Sequence, residues 1–544
     1  MRVVIPAYPA FNIYSRIARK TTALGPVCVA TCVKEMGGWD VEVIDENNFR
    51  RYGPRNALGK VDHRFIQEQR PADVVGFYGG LTSIVPRLYE VAGFYKSAGA
   101  LTIAGGQHFI GQNIEEALSS GIDYVVTGEG EETIKELLAA LVQGHQPGRV
   151  SGIAYLEGGR VVNTAPRLPL TDFDRLPLPD FGLVRYAKIK LYPVERIRGC
   201  GMNCEFCTVK GRPRAASAAR LLEQISRLVE TVNARQFFIV DDLFGQHRAQ
   251  TMEFCKMLAV YQKRIGRRLH LTAQIRLDKA RDHELLAAMR QAGITTVAIG
   301  FESPIGRELE VMNKNLRPED MLFLARVFHR NGFWVHGMFI FGYPALPGKA
   351  VRISAQQRIK LFRRFIRKAK IDTLQVLLPV PLPGTELRKR LAAEGRIYLK
   401  DDVGWEYYDG TFPLFRPDEP LTAGQMQKAA RKLMGKSYRF RHMFLIATDI
   451  LSFPAFIIFM GDIKRGWAKW YRKWHKSVIH FGGWITVRNW TMSLKKNGFS
   501  TKLQKAEERL KQDAAVRQPA ETNGRLSCGK TGRRLWCRNQ PGKG

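Results

Sequence analysis

Over the first 150 residues, short apolar runs alternate with stretches whose apolar residues recur every three or four positions. RVVIP, VEVID, VVGFYGG, LTIAGG and YVVTGEGE are predicted strands, most of them ending near glycine. LGPVCVATCVKEMGG, IVPRLYEVAGFYKSAG and EETIKELLAALVQG carry helical spacing. Strands joined by helices predict an α/β fold, a parallel sheet covered on both faces, with ligands at the carboxyl ends of the strands. The pattern stops at PRLPLTDFDRLPLPDF, whose Pro and Asp predict an extended linker over 151–193. It resumes with VERIRG, QFFIVDD, LHLTAQ, TVAIGFES, VHGMFIFG and TLQVLLP. Helical stretches over 215–233, 248–264, 279–293, 318–332 and 352–370 separate these runs. Six strand–helix units predict a partial (β/α)6 barrel over 194–420, with its chemistry on the loops after the strands.

Composition changes the picture only in the last quarter. From Leu421 onward there are 26 Lys and Arg against 6 Asp and Glu, so over half of the chain's net charge of +35 lies there. HMFLIATDILSFPAFIIFM (442–460) is apolar but interrupted by Asp449 and Pro454, and is near the lower length for a membrane span. Five of the nine Trp follow between 467 and 490, interleaved with Lys and Arg. Residues 421–500 are therefore expected as a basic helical extension, with 440–500 lying on an anionic membrane surface. Simple packing on the barrel and binding of single-stranded nucleic acid are the competing readings. One charged helix and then a disordered tail are expected over 501–544. The opening MRVVIPAYPAFNIYSR reads as a strand rather than a secretory leader, giving the expectation of a cytoplasmic protein, peripheral at the inner membrane face.

Three of the eight cysteines fall in RIRGCGMNCEFCTVKG, as Cys200, Cys204 and Cys207. A closed structural zinc site takes four ligands, and a disulfide framework takes an even number. Three thiolates on one loop, directly after a strand, hold three corners of a site and leave the fourth open. This C-x3-C-x2-C run, with Phe206 before the last Cys, resembles the signature of the radical SAM superfamily. The resemblance implies a 4Fe-4S cluster on the three thiolates, its fourth iron taken by S-adenosylmethionine (SAM). It also implies SAM contacts from Phe206, from Asp241 on the second strand, from Arg276 after the third, and from Glu302 in the GFES run. Cys28, Cys32 and Cys255 read as structural thiols, and Cys528 and Cys537 as unpartnered ones in the tail.

YGGLTS, AGGQH and GEGEET, in that order at strand ends, resemble the cobalamin-binding domain that precedes many radical SAM cores. The resemblance covers residues 1 to about 420 and assigns 1–150 to a Rossmann-like cobalamin domain. It implies cobalamin contacts from Thr82, Ser83, Gly105, Gly106, Gly128, Glu129 and Gly130. The D-x-H-x-x-G of histidine-ligated cobalamin domains is missing, and His63 and His108 read as a surface and a loop histidine. Cobalamin without a protein nitrogen ligand is the expectation. The family chemistry implied is reductive cleavage of SAM, hydrogen abstraction from an unactivated carbon, and methyl transfer from methylcobalamin, with no catalytic residue beyond the cofactors. A lipid or other small molecule is the expected substrate and a flavodoxin- or ferredoxin-type protein the expected electron donor. Radical cyclisation or rearrangement without methyl transfer, RNA modification, and a non-catalytic cobalamin or redox sensor are the alternatives; nucleic acid is not the expected partner.

Overall fold

Arg2–Ile5, a run with every residue buried, forms the central strand β1 of a first sheet. The structure, a computed structural model, describes residues 1–349, 351–453, 463–495 and 497–517. Around β1 lie β2 (Glu42–Asp45), β3 (Val74–Tyr78), β4 (Leu101–Gly105) and β5 (Tyr124–Val126), all parallel, in the order β5-β4-β3-β1-β2. The order reverses between β1 and β3, which opens a crevice at the carboxyl ends of those strands. Helices α1 (Leu24–Glu35), α2 (His63–Gln69), α3 (Val85–Ser97), α4 (Gln112–Ser119) and α5 (Gly130–Val142) cover the sheet.

The expected linker is partly stitched into this sheet. β6 (Ile153–Glu157) and β7 (Arg160–Asn163) extend it as an antiparallel hairpin on β5, and β8 (Val184–Arg185) adds to β2 at the far edge. YLEGGRVV is two alternating runs around Gly-Gly, a hairpin signal that the neighbouring Pro-rich stretch obscures. His63 is also not on the surface. It is buried, with Nδ1 2.9 Å from the Tyr95 hydroxyl and Nε2 3.2 Å from Glu46.

The second sheet runs β9 (Tyr192–Val194), β12 (Gln236–Phe244), β13 (His270–Ile275), β14 (Ile294–Glu302), β15 (Trp334–Ile340) and β16 (Thr373–Leu377). All neighbours are parallel, giving a six-stranded open barrel. Its helices are α6 (Ala218–Val232), α7 (Arg248–Arg264), α8 (His283–Gln291), α9 (Pro318–Arg330) and α10 (Ala355–Lys368), followed by α11 (Glu386–Ala393). Ser217 and Ser354 cap α6 and α10 through their side chains, the second in a reciprocal capping box with Gln357. A small antiparallel pair, β10 (Ile197–Arg198) and β11 (Arg214–Ala215), brackets the cysteine loop.

The basic extension folds against this body as α12 (Ala423–Ser437), α13 (His442–Leu451), α14 (Ile463–Leu494) and α15 (Phe499–Arg517). α14 lies along the open side of the barrel. The Tyr438 hydroxyl bonds the Leu374 N–H at 2.7 Å and its carbonyl at 2.9 Å, and His480 Nε2 is 2.7 Å from the Asp372 carbonyl. Trp490 and Leu494 are buried, and Phe499 packs on Phe412 with ring centroids 4.6 Å apart. Much of the extension is thus a packing element, because a six-stranded barrel leaves an edge to cover. No helix among the described residues is long and apolar enough to cross a membrane. The end of the 442–460 run with Pro454, the cysteines 528 and 537, and the tail from 518 lie outside the described residues.

Candidate active site

The cysteine loop is shaped by its backbone. Gly199 has φ +85°, and a Cβ there would lie 2.6 Å from the Arg212 carbonyl oxygen, so only glycine permits the turn into Cys200. Gly201 N–H bonds the Gly211 carbonyl at 2.9 Å and closes the loop on itself. The strand feeding it is clamped by β12. Asp241 Oδ1 accepts the Arg196 and Ile197 N–H groups at 2.6 and 2.9 Å, and Asp242 Oδ2 accepts Gly199 N–H at 2.7 Å.

Asp241, expected at SAM, is therefore turned inward. It is 1% exposed, and burial pushes its carboxyl up to about 6 despite the two N–H donors. Phe237, Ile239, Asp241 and Leu243 are the buried alternating positions of β12, joined by Phe244 at its end, so period-two alternation aims Asp241 at the apolar layer. The same alternation, applied to the sequence, would have separated it from Asp242.

Cys200, Cys204 and Cys207 are all half-buried on the loop. Burial pushes the Cys204 and Cys207 thiols up; neighbouring thiols push the same way, and Lys210 opposes for both. Lys314 acts on Cys204 as the larger opposing charge. Among the described residues no three His, Cys, Asp or Glu side chains converge on a single ion position. Three clustered cysteines, with the Lys210 and Lys314 ammonium groups favouring their thiolates, form a donor set that suits an anionic iron–sulfur cluster.

Around the loop the structure gathers Arg276, Glu302 and Phe206. Arg276 reaches Met202 Sδ at 2.8 Å, next to the loop's centre, and pairs with Asp278 at 2.9 Å. Glu302 ends β14 with φ 57°, a left-handed conformation that a glutamate adopts only under local constraint, and its Oε1 takes Lys314 Nζ at 2.7 Å. Phe206 meets Tyr343 edge-on at 6.1 Å.

Sequence reasoning missed Lys314 and the support beneath the loop. Glu205, inside the cysteine run, accepts Arg390 Nε at 2.6 Å and the Tyr343 hydroxyl at 2.7 Å. The two partners come from α11 and from just after β15, 185 and 138 residues away. Replacing Arg390 by Met leaves a largely buried carboxylate short of donors. The expected cost is about 2 kcal/mol of stability, read by chemical denaturation, together with faster loss of iron from the reconstituted protein.

The first domain supplies a cleft of about 540 Å³ at its strand ends. Val3, Gly76, Ile103 and Val126 floor it, Leu24, Val29 and Ile134 wall it, and Gly105, Gly106, Gly128, Glu129 and Gly130 rim it. Gly106, with φ +135°, lies so close to the next strand end that a Cβ would sit 2.4 Å from the Gly79 carbonyl carbon. Gly128, with φ +83°, faces open space. A flat apolar slot with backbone at its rim suits a nucleotide tail and a corrin edge.

Thr82 and Ser83 are not in the lining. They are buried in the turn behind Leu81, where Thr82 Oγ1 is 3.3 Å from His108 Nδ1 and Ser83 Oγ accepts Asn12 Nδ2 at 3.4 Å. Glu129 is also a tie between domains. It pairs with Arg214 at 2.9 Å and Arg198 at 3.3 Å, both from the strands bracketing the cysteine loop. Glu195, beside Arg198 in the cleft lining, is pushed up to about 7 by burial, with Arg198 opposing.

His108 is the expected loop histidine, in the turn between β4 and α4, and it is buried there. It packs edge-on against Trp405 at 5.1 Å, and burial, helped by Arg388 and Lys400, lowers it to about 4. A folded pKa below the usual 6.5 means that protonation opposes the folded state. Stability is fully present above about 6.5 and is lost as pH falls toward 4, by up to about 3 kcal/mol. The difference between wild type and His108→Gln in denaturation midpoint should therefore change across that window and stay flat from pH 7 to 8.

Two contacts bring the loop and the cleft together. Arg198, two residues before Cys200, lines the cleft, and Thr208, just after Cys207, donates to Gln107 Oε1 at 2.9 Å from the cleft's rim.

Residues 194–352 match the radical SAM superfamily and residues 14–138 match the B12 binding domain. An uncharacterised methyltransferase of Pyrococcus horikoshii is 27% identical over 84% of this chain and 96% of its own length. The anaerobic magnesium-protoporphyrin IX monomethyl ester cyclase of Rubrivivax gelatinosus is 26% identical over 62% of each chain. The hopanoid C-2 methylase of Rhodopseudomonas palustris is 27% identical over 52% of this chain and 50% of its own. The chain thus spans less than two thirds of the last two relatives. Among solved structures, the cobalamin-dependent radical enzyme OxsB superposes with TM-score 0.60 at 14% identity, covering 96% of this chain and 82% of that one. TsrM of Kitasatospora setae gives 0.56 at 17%, covering 72% and 76%.

The chain thus carries a radical SAM domain over 194–352, preceded by a B12-binding domain over 14–138. It is a radical SAM enzyme, and the cofactors of its two domains are a 4Fe-4S cluster with SAM, and cobalamin.

Proposed function

We propose that this enzyme methylates an unactivated carbon of a lipid-type substrate in a cobalamin-dependent radical reaction at a membrane surface. The observation that carries the reading is the shared wall between the cysteine loop and the cleft, through Arg198 and the Thr208–Gln107 contact. A methyl donor and a hydrogen-abstracting centre must reach one substrate carbon, and two neighbouring sites meet that need. When bound, the cluster with SAM supplies hydrogen abstraction and cobalamin supplies the methyl group.

The chain's own residues hold and orient these groups. Cys200, Cys204 and Cys207 ligate the cluster, and Lys210 and Lys314 offset its charge. Glu302 and Arg276 orient SAM, with Phe206 closing the loop side. Gly105, Gly106, Gly128 and Gly130 let backbone approach cobalamin. The β1 loop has no histidine to offer; Phe11 there stacks on Tyr407 at 5.3 Å, and Tyr14 accepts from Gln375, so the loop closes the two domains around the site and excludes water. A flavodoxin- or ferredoxin-type donor supplies the electron.

The lipid part is supported by one relative named for a hopanoid and by the basic extension. A second reading, radical cyclisation without methyl transfer, is favoured by the cyclase relative. Anaerobic incubation with methyl-labelled SAM and a membrane lipid extract separates them by mass spectrometry. A labelled lipid supports methylation, an unlabelled lipid of altered mass supports cyclisation, and an unchanged extract removes the lipid assignment.

A further inference from the structure

At the barrel end where strands begin, opposite the cysteine loop, lies a groove of about 630 Å³ between α10, α12 and α14. Arg363, Arg364, Arg367, Lys370 and Lys436 line it. The lining's one carboxylate, Asp372, is already taken by Lys476 at 3.0 Å and His329 at 3.7 Å. The sequence holds no Asp or Glu from 351 to 371 or from 421 to 448, so the elements forming the groove bring no neutralising charge of their own. Arg363 chiefly, with Lys432 and Arg439, pushes the Lys436 ammonium below its ordinary pKa.

α13 starts at the rim of this groove, where the His442 ring lies 4.8 Å from that of His480 in the lining, tilted by 40°. Its polarity is inverted. Asp449, 2% exposed, turns in toward α14, where Lys473 pairs with it at 2.7 Å and Trp470 Nε1 bonds its carbonyl at 2.7 Å. Facing out are Met443, Phe444, Leu445, Ile450 and Leu451, the last 81% exposed. Trp467 and Tyr471 of α14 continue that patch.

We propose that this end of the barrel is where the enzyme sits on an anionic bilayer, with headgroup phosphates in the Arg363–Lys436 groove and the outward face of α13 in the acyl boundary. The proposal deepens the membrane part of the proposed function and rests on that part alone. Unneutralised cations beside an outward apolar helix match both layers of a lipid surface at once. A nucleic acid would use the cations and leave the α13 face bare. A second copy docked face to face would set one cationic groove against another. The bilayer then lies at the opposite end of the strands from the cysteine loop, so the docking face and the reacting site are separate surfaces and a lipid substrate has to leave the bilayer to react.

The test is flotation of the full-length reconstituted enzyme with phosphatidylcholine vesicles, with and without phosphatidylglycerol, at low and high salt. Wild type should float only with phosphatidylglycerol and lose at least about tenfold in binding at high salt. Arg363→Glu with Arg367→Glu should abolish the salt-sensitive binding, and Phe444→Ser with Leu451→Ser should weaken what remains. SAM cleavage by both variants in vesicle-free buffer should equal wild type, which separates lost docking from lost folding. No flotation with phosphatidylglycerol, flotation indifferent to both pairs of substitutions, or a dimer in light scattering that the α13 pair dissolves would each overturn the proposal. So would RNA binding that competes with vesicles through the groove. Flotation that succeeds while the labelled-lipid experiment fails would leave this docking face standing and remove only the methylation reading.

Discussion

Replacing Cys204 by Ala should reduce iron and acid-labile sulfide in the purified protein to background, with loss of the charge-transfer absorbance. SAM cleavage should disappear with it. The loop carries three thiols and no fourth, and Ala cannot ligate iron. Groups one shell out from a metal typically change its affinity roughly 10–100-fold, so loss of a direct ligand should exceed that and leave no stable cluster. The loop itself should survive, because its shape depends on Gly199, Gly201 and the Asp241–Asp242 clamp rather than on the thiol. An unchanged melting profile of the cluster-free protein alongside absent iron is therefore the expected pair of results. Full iron content in this variant would remove the cluster assignment.

The second large effect is at the cobalamin cleft. Gly76 lies on its floor in ordinary extended backbone, and a Cβ there would meet Met1 Cε at 3.1 Å and Val3 Cγ2 at 3.8 Å. Met1 is the end of a flexible side chain and can give way, so Gly76→Leu should fold. Its side chain would fill the slot between the sheet and α1. Cobalamin affinity, read by fluorescence quenching or by retained absorbance after gel filtration, should fall at least about a hundredfold, which is roughly 2.7 kcal/mol. Iron content should be unchanged, because Gly76 is on the first domain and the cluster loop on the second. Retained binding by this variant would place cobalamin elsewhere.

The strands, most of the helices and the cysteine triad were legible because each depends on local pattern. The apolar run QFFIVDD marked the strand that forms as Gln236–Phe244, helical spacing over 215–233 marked the helix that forms as Ala218–Val232, and three thiols in eight residues marked the loop. The rest depends on partners distant in sequence. Nothing near Glu205 announces Arg390, 185 residues on, and nothing near Glu129 announces Arg198 and Arg214. Lys314 follows Glu302 by twelve residues, but only the short helix between them turns it back onto the same carboxylate. Thr82 and Ser83 looked equivalent to the neighbouring glycines as loop polar groups, yet the turn at Thr82–Ile84 points them away from the cleft. In α13 composition misled in the other direction. An apolar run with one Asp reads as a damaged span, whereas the fold hides the Asp and shows the apolar side chains.

The most direct test of the account is reconstitution with iron and sulfide under anaerobic conditions, with and without cobalamin. Reduced protein and SAM are then assayed for 5′-deoxyadenosine by mass spectrometry, and bound cobalamin is read by its absorbance. The account predicts 5′-deoxyadenosine from the wild type, none from the Cys204→Ala variant, and stoichiometric cobalamin whose spectrum lacks a protein nitrogen ligand. A wild-type protein that assembles its cluster and binds cobalamin yet forms no 5′-deoxyadenosine under reduction would contradict it.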